Sequence, residues 1–311
     1  MNGRSTFHRA TFLALALTLV TAACSGSDSP AGAQDGVSVV ATTTMLGDIA
    51  SNVVGDAGTV TTLFPIGADP HEYQASAQQV AAIQNADLVI ANGLGLEEGL
   101  ADVLDSARAD GANIVEIGPL VDPIPFTQNT GTGEKFSDDP HFWMDPLRDA
   151  EAARQIGSAL AAVDPSGDWT TRAETYAAAL ASADAQATDI LSAVPAAKRK
   201  LVTNHDALGY FAQRYGFEVV GVVIPGGSTL AEPSSAELTA LVDKIKSEGV
   251  TAIFAETTEP STLADALAAE AGGTVKVVEL YTGSLGEPGS GADTLIGMLT
   301  TNAQRIAEAL S

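Results

Sequence analysis

Cysteine is nearly absent from this 311-residue chain, which has only Cys24. A single thiol excludes an internal disulfide and any zinc site built from several cysteines. Basic residues are also scarce: 15 Lys plus Arg face 39 Asp plus Glu, for a formal net charge of −24. A field of that sign repels nucleic acid and anionic lipid, so neither is expected as a main partner. Beyond residue 24 the sequence has no apolar run long enough to span a bilayer and no phosphate-binding loop of the GxxxxGK[ST] type. It also lacks a dinucleotide fingerprint, because the glycine after Asn92-Gly93-Leu94-Gly95 comes only at Gly99. That stretch reads as a turn into a helix. The short metal motif HExxH is missing too.

With 45% hydrophobic and 17% charged residues, the chain has the composition of a globular protein. Its first residues carry a different signal. Arg4, His8 and Arg9 precede the apolar run Ala10 to Ala23, which is about 14 residues long and suits a signal-peptide core better than a spanning helix. Residues 1–23 are therefore expected to be a signal peptide, with Thr21-Ala22-Ala23 leading into Cys24 as in a bacterial lipoprotein processing site. Cys24 is the expected lipidation point. Residues 24–36, small and polar, read as a flexible tether. The expected location is the outer face of the cytoplasmic membrane, reached through the lipid anchor alone.

From Val37 onward, short β-branched runs alternate with Ala-rich segments of helical period. Strands are expected at 37–41, 60–64, 88–91 and 113–116, and again at 200–203, 218–223, 252–254 and 275–278. Helices are expected between them, near 208–215, 234–248, 261–270 and 293–310. Ser76 reads as an N-cap, and Ser234 with Glu237 has capping-box spacing. The pattern predicts an α/β fold of two lobes with mostly parallel sheets, at residues 37–165 and 196–311. Residues 166–195 join them and read as one long helix of roughly 40 Å, a stiff strut between the lobes. The polar segment 122–139 is too long for a simple connection.

Three histidines remain beyond the signal: His71, His141 and His205. Each follows an expected strand or lies in a loop, with a carboxylate a few residues away. Crevices at the carboxyl ends of parallel strands are where open α/β folds place ligands, and a carboxylate can orient a metal-bound imidazole through its second nitrogen. Spacing alone leaves them open as ordinary turn or surface residues.

The sequence around them says more. FPIGADPHEY (64–73), DPHFWMDP (139–146), TNHDALGY (203–210), IFAETT (253–258) and LYTGSLG (280–286) resemble, in order, the blocks of the zinc- and manganese-binding proteins of bacterial ABC importers. The resemblance covers nearly the whole chain beyond the tether. It implies two α/β lobes joined by a long helix, with a metal in the cleft between them, and it maps the histidine ligands onto His71, His141 and His205. Members with a fourth protein ligand carry Asp in the last block, where this chain has Gly283. The site is then three histidines plus water, or it recruits another carboxylate. Glu256 is the first candidate, with Glu72 and Glu287 weaker ones. A His-rich loop found in some zinc-binding relatives is absent, although Glu134, Asp138 and Asp139 in the long loop could attract metal.

Three imidazoles suit zinc, whereas manganese prefers more oxygen donors. The expectation is therefore Zn2+ as transported ligand, with Mn2+ as the alternative. The permease and its ATPase subunit would be separate chains, and a metallochaperone could load the site. A zinc-dependent hydrolase with a three-histidine site is the rival from another class, since metal-bound water is also a catalytic arrangement. Binding of a small organic ligand without metal is a third reading.

Overall fold

The computed structural model describes residues 36–126 and 138–311. The signal, Cys24, all but the last residue of the tether, and Glu134 lie outside the described residues. Two four-stranded parallel sheets organise the chain. In the first, β1 (Val37–Ala41), β2 (Gly58–Thr62), β3 (Leu88–Ala91) and β4 (Ile114–Glu116) lie in the order β2-β1-β3-β4. In the second, β5 (Lys200–Thr203), β6 (Glu218–Val222), β7 (Ala252–Glu256) and β8 (Lys276–Leu280) lie in the order β6-β5-β7-β8. Each sheet thus has a point where the chain reverses its direction of winding, between β1 and β3 and between β5 and β7. Such points open a crevice beyond the strand ends.

Helices cover the sheets, and local chemistry sets their ends. The first sheet carries α1 (Thr44–Val54), α2 (Ala77–Asn85) and α3 (Ala101–Ala109). Ser76 starts α2 with a full capping box completed by Gln79. The second sheet carries α6 (Gly209–Tyr215), α7 (Ser235–Glu248), α8 (Thr262–Glu270) and α9 (Leu295–Leu310). Ser234 and Glu237 form the capping box expected for α7, which ends at Gly249 in the left-handed conformation. No helix of the described residues is long and apolar enough to cross a membrane.

Between the sheets run α4 (Pro146–Val163) and α5 (Trp169–Leu191). The helix α5 has 23 residues and so spans about 34 Å, a little shorter than expected because Asp164-Pro165-Ser166-Gly167 forms a turn. Trp169 closes that turn by donating its indole N–H to the Asp164 carbonyl at 2.7 Å. The helix α5 buries Trp169, Tyr176, Leu180 and Leu191 against α4 and its neighbours. One apolar cluster runs from Val39 and Ile90 in the first sheet through Ile156 and Leu180 to Leu201 and Phe254 in the second. A smaller cluster backs each sheet on its other face.

This shared layer also holds a buried acid. Asp149 of α4 is fully enclosed, and neither carboxyl oxygen has a hydrogen-bond partner among the described residues. Burial, with Asp145 and Asp48 nearby, pushes it well above the usual carboxylate range. An acid raised in the folded state contributes most below its unfolded value, and stability is lost as pH rises toward the folded one. Asp149→Asn should therefore flatten the decline in denaturation midpoint between pH 5 and pH 8. Asparagine keeps a buried polar group but cannot ionise, so the variant should hold its stability across that range while wild type loses it.

Candidate metal centre

Two of the three histidines sit in the same local device. In Asp69-Pro70-His71 the Asp69 Oδ1 accepts the His71 backbone N–H at 2.8 Å, and in Asp139-Pro140-His141 the Asp139 Oδ1 accepts the His141 N–H at 2.9 Å. Each is an Asx turn stiffened by proline, which fixes the backbone from which the imidazole projects. His205 is set differently. It follows β5, and its carbonyl accepts a hydrogen bond from Thr203 Oγ1 at 2.7 Å.

These segments deliver all three imidazoles to one place. His71 Nε2 lies 3.3 Å from His141 Nε2, and His141 Nε2 lies 3.1 Å from His205 Nε2. All three donor atoms fall within 4.8 Å of one another. The residues are buried, at 1%, 1% and 2% exposure. The edge of the Trp143 indole packs on His141, and its N–H donates to the Thr282 carbonyl at 2.7 Å, tying this segment to the second lobe.

The outer nitrogens meet carboxylates. His141 Nδ1 donates to Asp139 Oδ1 at 2.7 Å, and His205 Nδ1 donates to Glu256 Oε1. His71 Nδ1 faces Glu98 Oε1 at 3.7 Å. A proton held at Nδ1 leaves the Nε2 lone pair turned inward, the tautomer a metal ligand needs.

Glu256, the expected fourth ligand, is buried on the outside of the cluster. Its second oxygen accepts from Thr282 Oγ1 at 2.6 Å. Glu72 and Glu287 are exposed, and neither joins the convergent group. Asp139, noted in the long loop as a possible attractant, is instead the partner of His141. Sequence reasoning missed Glu98. No local pattern marks it, and only the fold shows the contact: a β-carbon at Gly99 would lie 2.4 Å from the Tyr73 carbonyl and 2.9 Å from that of Glu72. That close approach brings the Glu98 turn against the His71 loop.

The electrostatics follow from burial and pairing. Burial, helped by the other two imidazoles, holds His141 well below its ordinary value, so it is neutral. Burial also pulls His205 down, but the Glu256 carboxylate, with Asp69 and Asp206, outweighs it and the net shift is upward. The matching attraction overrides the burial of Glu256 and holds it at about 2. A protonated His205 can then donate from Nε2 to the neutral His141. Burial pushes Asp139 up to about 7, against the His141 backbone N–H and the neighbouring imidazoles.

At the rim, Asp69 uses its second oxygen to accept from Thr229 Oγ1 of the opposite lobe. Burial and a hydrogen bond with Asp69 raise Glu259 to about 7. The Gly67 N–H donates to Ser284 Oγ and the Leu285 N–H to Thr44 Oγ1, each at 2.9 Å, closing the cleft over the histidines.

Known metal-binding proteins resemble this chain. The zinc-binding protein TroA of Treponema pallidum is 33% identical over 304 residues, covering 96% of each chain. Its solved structure superposes with a TM-score of 0.79 at 32% identity, over 89% of this chain and 99% of that one. A manganese-binding lipoprotein, MntA of Halalkalibacterium halodurans, is 29% identical over 96% of this chain and 97% of its own. The manganese-bound periplasmic metal-binding protein of Candidatus Liberibacter asiaticus superposes with a TM-score of 0.77 at 27% identity, over 88% of this chain and all of that one. Residues 39–309 match the family described as zinc-uptake complex component A, periplasmic, and the chain belongs to that family.

Proposed function

We propose that this chain is the extracytoplasmic substrate-binding component of a metal ABC importer, that it holds one zinc ion on His71, His141 and His205, and that it passes the ion to a separate permease and ATPase. The observation that carries this reading is the convergence of three buried Nε2 atoms, two of them backed at Nδ1 by a carboxylate within hydrogen-bonding distance. Four-coordinate zinc at about 2.0–2.1 Å from each nitrogen needs donors roughly 3.3 Å apart, close to the 3.3 and 3.1 Å separations here. Relatives named for zinc and for manganese both resemble the chain, so the choice of zinc rests on the donor set. Three nitrogens and no carboxylate oxygen in the convergent group favour it.

In this reading Glu256 orients His205 and is not itself a ligand. Capture is favoured over hydrolysis because Asp139 and Glu256 are committed to imidazoles, leaving neither as a general base for bound water. Anchoring through Cys24 fits the lipoprotein names of several relatives. Because the histidines are shut from solvent, ions reach them when the rim bonds at Ser284, Thr44 and Thr229 open, while the core beneath stays packed.

Protein beginning at Ser25 should take up one zinc per chain by elemental analysis and competitive titration, and the triple His→Ala variant none. Each single His→Ala change should weaken zinc more than roughly 100-fold, exceeding the effect of losing an orienting partner. Uptake of manganese in preference to zinc would overturn the assignment of cargo. Turnover of simple esters or phosphates by the zinc form would favour the hydrolase.

Zinc competes with protons for His205, whose affinity for protons is raised above the ordinary histidine value by the Glu256 carboxylate. Binding should therefore release protons increasingly as pH is lowered, and affinity should fall as pH drops from 7.5 to 6. Titration calorimetry in buffers of differing ionisation enthalpy measures both effects.

Glu256→Gln removes the charge that raises His205. It should cost about 10–100-fold in zinc affinity and move the pH dependence downward without changing the one-to-one stoichiometry. Complete loss of zinc in this variant would restore Glu256 as a ligand.

A further inference from the structure

Three histidines leave a four-coordinate ion one donor short, and among the described residues no fourth His, Cys, Asp or Glu joins the convergent group. The surroundings of Gly283 bear on what completes it. A β-carbon at this position would lie 3.0 Å from Thr258 Oγ1, 3.1 Å from Pro70 Cδ and 3.3 Å from Thr258 Cγ2. Pro70 immediately precedes His71. Thr258 lies two residues beyond Glu256, the partner of His205, and Thr282, next to Gly283, donates to that same Glu256. Gly283, Pro70 and Thr258 therefore meet where the segments carrying His71 and the His205 carboxylate come together. Within this junction the Thr258 hydroxyl oxygen is shut from solvent and has no hydrogen-bond partner among the described residues. Buried hydroxyls are seldom left so, and an exception calls for a role.

We infer that Thr258 is a specificity-determining residue, whose hydroxyl holds the water that completes the metal's coordination and whose side chain, with Pro70, keeps position 283 too tight for a carboxylate. The inference rests on the three-histidine capture reading. Its consequence is a donor set of three imidazoles and one neutral oxygen. That set suits a four-coordinate borderline ion and disfavours one that needs several oxygens, such as manganese. Enlarging position 283 alone would not reverse the preference, because the new side chain meets Thr258 first.

The test compares wild type, Thr258→Val, Thr258→Ser and the double variant Gly283→Asp with Thr258→Ala, all in protein beginning at Ser25. Zinc and manganese affinities are measured by competition, and the visible absorption of the cobalt(II)-loaded protein reports the geometry at the ion. Valine keeps the shape and removes an unmatched hydroxyl. Thr258→Val should therefore raise the melting temperature of the metal-free protein, lower zinc affinity roughly tenfold and alter the cobalt spectrum. Thr258→Ser should restore both affinity and spectrum. The double variant should gain manganese affinity relative to zinc. Unchanged zinc affinity and cobalt spectrum in Thr258→Val, with one zinc still bound, would overturn the role of Thr258 and leave capture standing. If wild type binds no metal, the capture reading fails and this inference fails with it.

Discussion

Imidazole lone pairs pointed at one another repel, and the repulsion is least screened where water is excluded. His71, His141 and His205 are held in that relation, with neighbouring Nε2 atoms at 3.1 and 3.3 Å and the rings sealed from solvent. A proton or a metal ion held between them relieves the repulsion. In the structure the Glu256 charge favours a proton on His205, which can bridge to His141. A divalent ion would take the same place with more charge and three bonds. The carboxyl groups behind the rings keep the arrangement from relaxing by ring rotation, since turning either His141 or His205 would forfeit a buried hydrogen bond, charge-assisted at His205.

The backbone supplies this constraint through two sheets that each reverse winding direction and face their crevices to one space. Glu256 ends β7 and His205 lies just beyond the adjacent β5, so their pairing follows from the register that places Val202 opposite Ile253. His71 and His141 come from long loops, where regular structure cannot position a side chain. There the Asp-Pro-His turn does the work, twice. The acidic rim, with Asp69 and Glu259 from opposite lobes, adds a local field favourable to cations at the mouth.

Much of this was legible in the sequence. Strands β1, β3 and β5 fall on the expected residues because each is a short stretch built around Val, Leu or Ile and bounded by turn signals. The strand β7 runs two residues beyond expectation, since Ala255 and Glu256 pair with Glu279 and Leu280. Neither looks like a strand former, and only the neighbouring strand reveals them. The histidines could be picked out from their local strings, and Asp139 stands in the same string as His141, whereas the pairing of Glu98 with His71 and of Glu256 with His205 could not be read. Glu98 is 27 positions from His71, Glu256 is 51 from His205, and Thr44 closes the cleft with a residue 241 positions away. No local pattern encodes such pairs. The Thr258 hydroxyl is harder still, because its interest lies in having no partner, which only a folded environment can define.

The apolar cluster that runs unbroken from one sheet through α4 and α5 to the other has a further consequence. Two lobes with separate cores could melt independently, and a ligand between them would stabilise mainly their docking. Here the hydrophobic surface joining the lobes is the same surface that holds each of them together. Losing one sheet would strip the inner face of the other, so the two should unfold as one cooperative unit. The free energy of an ion bound in the cleft would then be felt equally at amides in both sheets, far from the histidines that touch it.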